Sequence, residues 1–200
     1  MRVRGALLVM ILLFSSAHAT AQDFSAGPYL RASGSVAFDN FGEVVPASDG
    51  SDSDPVLGFN GSIGYRFTPH FALEVEGEWL DTFRVTGTAG PFLDEIAGDA
   101  DLWVTTLNAK ALYPMGRVHP FLAAGVGAMH ARLVRSGESP TVSFRGKDTG
   151  TGFAGRAAAG FEVYVWQGLA VVVDGSYVFA SGDVDGFDYV RTGWGLQYRF

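Results

Sequence analysis

The sequence of 200 residues contains no cysteine, so no disulfide can staple the fold and the packed chain must hold by itself. Long apolar runs are also missing. The one near the start, residues 6–14, falls well short of the roughly 20 residues that a membrane-spanning helix needs, and no later stretch is long and uncharged enough. Basic residues are outnumbered, giving a net charge of −7 and no basic patch, which argues against a nucleic-acid partner. What the chain does have is apolar side chains, 48% of the total, together with 27 glycines. That is too apolar for a disordered secreted protein, and with no helix to hide these residues, sheet has to do it.

The chain opens with Arg2 and Arg4, the short apolar run, and small residues that offer cleavage after Ala19 or Ala21. This is the pattern of a secretory signal peptide. The expected organisation is therefore a signal peptide at 1–21, exported through the Sec pathway, and one mature domain at 22–200.

Within the mature part, eight segments alternate with a period of two. The first sets Pro28, Leu30, Ala32, Val36 and Phe38 against Arg31, Ser33 and Ser35. The second sets Leu57, Phe59, Ile63, Tyr65 and Phe67 against Gly58, Asn60, Ser62, Gly64 and Arg66. In the third, Phe71, Leu73, Val75, Gly77 and Trp79 alternate with Ala72, Glu74, Glu76 and Glu78, so three carboxylates share one face and the other face holds no charge. The fourth places Thr105, Leu107, Ala109 and Ala111 opposite Thr106, Asn108 and Lys110. In the fifth, starting at Pro120-Phe121, Leu122, Ala124 and Val126 are expected outward, because glycines on the inner face leave room for long polar side chains. The sixth opposes Phe153, Ala157, Ala159, Phe161, Val163 and Val165 to Arg156, Glu162 and Tyr164. The seventh opposes Leu169, Val171, Val173, Tyr177 and Phe179 to Asp174 and Ser176. The eighth opposes Val190, Trp194, Leu196, Tyr198 and Phe200 to Arg191, Gln197 and Arg199.

Short turns at Thr68, Pro114 and Gln167 alternate with longer connections at 39–55, 81–101, 132–150 and 180–186. That alternation defines an up-and-down topology, and aromatic residues near both ends of the strands form two girdles. The predicted fold is all-β: an eight-stranded antiparallel up-and-down transmembrane β-barrel in a bacterial outer membrane, with its short turns and both termini in the periplasm.

The alternating eight-strand plan, the strand starting Pro120-Phe121 with Gly125 and Gly127, and the closing aromatic Phe200 resemble the outer-membrane β-barrel superfamily. That superfamily contains opacity-type surface proteins and the transmembrane domain of OmpA-like proteins. The resemblance spans the mature chain. It implies an assembly signal at Trp194, Leu196, Tyr198 and Phe200, read by the barrel assembly machinery. No peptidoglycan-binding domain follows Phe200 in this sequence, so cell-wall anchoring is not carried over.

An eight-stranded barrel is just wide enough for its inward side chains to fill it. The lumen is expected to hold Glu74, Glu76, Glu78, Glu162 and Asp174 as acids and Arg66, Lys110, Arg156, Arg191 and Arg199 as bases. Opposite charges in so narrow a space should pair, making a structural plug; a gated ion path or small channel is the alternative. A hydrolase site near the outer rim is a further alternative. Of the histidines, His70 and His119 sit at periplasmic turns, and only His130 lies near that rim. It would need a serine and a carboxylate beside it, and Ala131 and Arg132 follow it. No catalytic residue, cofactor or metal ligand is therefore assigned. The acidic runs Asp49 to Asp54 and Asp183, Asp185 and Asp188 read as solvated loop, and the basic 132–150 segment, with Arg132, Arg135, Arg145 and Lys147, as a hydrophilic loop. Expected partners are outer-membrane lipid and lipopolysaccharide, the assembly machinery, and a host or phage surface met by the loops. The barrel is expected to be a monomer.

Overall fold

The computed structural model describes residues 26–39, 55–87, 95–139 and 142–200; the signal segment and the Asp49 to Asp54 cluster lie outside them. Eight strands follow one another: β1 (Gly27–Asp39), β2 (Val56–Thr68), β3 (Phe71–Gly87), β4 (Glu95–Leu112), β5 (Val118–Ser139), β6 (Val142–Tyr164), β7 (Leu169–Gly182) and β8 (Tyr189–Arg199). Each pairs antiparallel with its neighbour in sequence, and β1 pairs with β8, so the sheet closes into a barrel with no open edge. Closure is what lipid demands, because an unpaired backbone group in hydrocarbon costs several kcal/mol. Phe200 N donates to Pro28 O at 3.1 Å, which puts both ends of the barrel chain at the end that carries the short turns.

Alternation in the sequence becomes alternation in space. Leu57, Ile63, Leu122 and Val126 are exposed on the outer wall, whereas Glu74, Glu76 and Glu78 are buried in the lumen. The fifth strand faces as expected, and its inner glycines matter: a Cβ on Gly125 would sit 2.0 Å from Asn108 Oδ1. Aromatic rings meet at both rims, along β2 and across neighbouring strands. At the short-turn end Phe67 lies 4.8 Å from Tyr65 and 6.1 Å from Phe71; at the other end Trp79 lies 6.2 Å from Trp103 and Phe153 6.1 Å from Phe179.

Two expectations about connections need correction. Strands β5 and β6 stay in register out to Ser139↔Val142, so Arg132, Arg135, Arg145 and Lys147 lie on a long paired hairpin and not in a loop. Likewise β3 and β4 pair as far as Gly87↔Ile96. Backbone groups bond across a hairpin as well in water as in lipid, so pairing need not stop where the apolar belt stops.

The β7–β8 connection is not a free acidic loop either. It turns on Gly182 and Gly186, both at positive φ near 80°, and buries Val184 completely in the barrel mouth. Asp188 ties it down by accepting from Tyr177 OH at 2.7 Å and Ala180 N at 2.8 Å. Gly152 on β6 makes the space: a Cβ there would meet Ser181 O at 2.2 Å and Val184 Cγ2 at 2.5 Å.

Candidate functional site

The lumen concentrates the buried chemistry. Glu74, Glu76 and Glu78 point inward from β3 because they alternate with Leu73, Val75 and Trp79 on the lipid side, and register then sets their neighbours. Ser62 of β2 and Thr106 of β4 flank Glu76, and Asn60 and Val104 flank Glu78.

From the long-loop end, Tyr189 OH donates to Glu78 Oε2 at 2.8 Å, and Arg191 Nε lies 3.2 Å from Glu78 Oε1. Arg191 reaches Glu76 Oε1 at 2.8 Å with its other arm, where Arg156 and Asn60 also donate. Arg31 bonds the second oxygen of Glu76 and continues to Glu74 Oε1 at 3.2 Å. Lys110 then stands 3.7 Å from Glu74 Oε2 and 2.7 Å from Glu162 Oε1. Arg66 lies 3.5 Å from Glu162 Oε2 and ends the chain by donating to Pro69 O at 2.7 Å. The sign alternates at every step along this path through the lumen. Asp174 attaches at its side, 3.3 Å from Arg191 and 3.4 Å from Arg156.

Glu74, Glu76, Glu78, Glu162 and Asp174 thus meet Arg31, Arg66, Lys110, Arg156 and Arg191, and the buried charges cancel. Most of the expected lumen residues converge here. Arg199 is half-buried, with its guanidinium 5.5 Å from the centre of the Tyr164 ring, and Arg31, read from the sequence only as an inward residue, is a further cation of the network. Sequence reasoning also passed over Tyr29, whose OH donates to Glu74 Oε2 at 2.7 Å, and Tyr189. The signal that could have found them is register: both have inward parity on their strands. His119 Nδ1 lies 3.2 Å from Arg66 Nη1, and its Nε2 lies 3.1 Å from Gly116 O.

Toward the long-loop end the lumen changes character. Leu80, Leu102, Val104, Met129, Val178 and Val184 form a buried apolar layer above the charges, where a polar interior was expected. Burying each larger side chain contributes about 1.5–3 kcal/mol, and the layer separates the ionic chain from the barrel mouth. His130 is exposed on the outer wall, with Nδ1 2.8 Å from Thr151 Oγ1. Among the described residues, no group of three or more His, Asp or Glu side chains converges to hold a metal ion.

The closed antiparallel barrel, apolar outside and charged within, agrees with the family that the sequence matches. The model for the outer membrane protein beta-barrel domain fits residues 6–200. The chain belongs to this family. Neisserial surface protein A has a similar fold, with 15% identity, a TM-score of 0.56, and coverage of 88% of this chain and all of that one. The N-terminal barrel domain of Pseudomonas aeruginosa OprF is similar at 13% identity and a TM-score of 0.50, again over 88% of this chain and all of its own. At such identities these likenesses speak to fold alone. No curated protein matches the sequence closely enough to be counted a relative. Family membership gives the barrel a general outer-membrane role.

Proposed function

We propose that the mature chain is a monomeric outer-membrane protein with a structural or surface-interaction role in membrane integrity, adhesion or antigen display, and that its lumen is a plug. It is exported through the Sec pathway by residues 1–21, which are then removed, assembled by the barrel machinery through Trp194, Leu196, Tyr198 and Phe200, and embedded among lipid and lipopolysaccharide. The long hairpins on the outer side, bearing Arg132 and its basic neighbours, are the part that meets a host or phage surface. One observation carries the plug reading: the charge-alternating chain from Glu78 to Arg66 fills the lumen and lies beneath an apolar layer closed by Val184. A solute path would have to break buried ion pairs and then wet hydrocarbon, and both steps are costly.

Conductance of the refolded protein in planar lipid bilayers tests this directly. The expected trace is quiet, with rare small openings at most. Steady, large conductance from the wild-type chain would replace the plug with a small transport channel.

A further inference from the structure

The lipid-facing wall is not uniformly full. Near the short-turn end, β4, β5 and β6 leave a groove of about 470 Å³, within the size range of ligand sites. Its mouth lies between Tyr113 and Phe161, on either side of Pro120, because Tyr113 N bonds Pro120 O and Pro120 pairs with Phe161. One step deeper, Ala111 and Ala159 flank Leu122. The next row is alanine throughout, with Ala109, Ala124 and Ala157 in register. On the β4 side the row partners carry bulk, Phe71 beside Ala111 and Leu73 beside Ala109; on the β6 side Ala159 meets Gly175 and Ala157 meets Tyr177, so the low wall reaches β7 at one position only. The groove is therefore a local depression, apolar along its length and open toward the short-turn rim.

Among the three short turns the fixed charge is a cation. The short turns, at 68–71, 113–118 and 165–169, contain His70 and Arg117 and no acidic residue, although the chain as a whole carries a net charge of −7. Arg117 is exposed in the turn that joins the two strands bearing Tyr113 and Pro120. With a strand rise of about 3.3 Å per residue, it lies roughly 16 Å of chain from Leu122, about 13 Å of depth at a tilt near 40°, the span from an acyl chain to the headgroup level.

We propose that this groove seats one acyl chain of a glycerophospholipid from the periplasmic leaflet, with the lipid phosphate held at Arg117. The apolar floor accepts the chain, the Tyr113 and Phe161 rings bracket it, and the cation meets the anionic head. This rests on the membrane-embedded reading with the short turns in the periplasm.

The test uses the full mature chain refolded into nanodiscs of phosphatidylethanolamine and phosphatidylglycerol, released into mild detergent and weighed by native mass spectrometry. Folding is checked first by the heat-dependent gel shift of an intact barrel. Wild type is expected to retain a single phospholipid. R117Q should lower its occupancy about fivefold, the worth of one basic side chain near an anionic lipid surface. A159W fills the groove and should abolish retention, whereas I63W, on the outer wall at β2 and away from the groove, should keep it. A folded wild type that retains no lipid, A159W retaining as much as I63W, or a second copy of the chain found where lipid was expected would each overturn the groove proposal and leave the barrel reading standing. A chain that never shows the gel shift in lipid would overturn the embedded reading itself.

Discussion

Glu76 accepts from Arg156, Arg191 and Asn60 on one carboxylate oxygen and from Arg31 on the other, and it is 1% exposed. Removing it would leave three guanidinium groups facing one another, with Glu78, Asp174 and Glu74 as the remaining anions. E76A is therefore expected to destabilise the barrel by about 3–5 kcal/mol, as when one partner of a buried ion pair is deleted. Urea unfolding from lipid vesicles measures it; a loss below 1 kcal/mol would mean that the network relaxes around the gap. E76Q, which keeps the shape and one acceptor, should cost less. That Glu76 faces the lumen was legible from parity alone. Its particular partners were not, because parity says which face a residue takes and not which of several inward cations reaches it. Tyr29 and Tyr189 show the same limit: parity turns both rings inward, and only the structure shows their hydroxyls bonding Glu74 and Glu78.

At the scale of one element, β8 closes the barrel against β1, and its outward series Trp194, Leu196, Tyr198, Phe200 stands exposed on the lipid side. The Phe200 ring is 66% exposed and meets Tyr198 edge-on at 5.0 Å, while its backbone N–H holds Pro28 O. Trimming the ring leaves the backbone bond intact. F200A should therefore barely change stability of the detergent-refolded barrel, yet lower outer-membrane levels if the ring is read during assembly. Surface abundance at native expression in a strain lacking periplasmic proteases separates the two, and unchanged levels would remove Phe200 from the signal. Facing within elements was readable because a membrane wall enforces period two. Element length was not. Beyond the lipid, as on the β5–β6 hairpin, nothing requires outward residues to be apolar, so the sequence pattern fades while the pairing persists. The apolar layer of Leu80, Leu102 and Val104 was hidden for a related reason: inward hydrophobes beside Trp79 and Trp103 break the alternation and read as the end of a strand.

Over the whole molecule, all four tryptophans, Trp79, Trp103, Trp166 and Trp194, are exposed on the outer wall, and their depths differ. Trp166 sits in a short turn, at the level of lipid headgroups. Trp194 lies six residues along β8 from Phe200. At a rise of about 3.3 Å per residue and a tilt near 40°, that is roughly 15 Å of depth, close to the middle of an apolar band about 25 Å tall. Brominated phospholipids quench tryptophan on contact, so the position of the bromine reads depth. A variant retaining only Trp194, with phenylalanine at the other three positions, is expected to be quenched most strongly by bromine near the ends of the acyl chains. One retaining only Trp166 should respond best to bromine near the carbonyls. A soluble barrel or sandwich of the same sequence would instead expose these rings to water, where acrylamide would quench them and brominated lipid would not. Equal response of the two variants to both bromine positions, or quenching by acrylamide alone, would therefore contradict a barrel that stands across the membrane with its short turns at one surface.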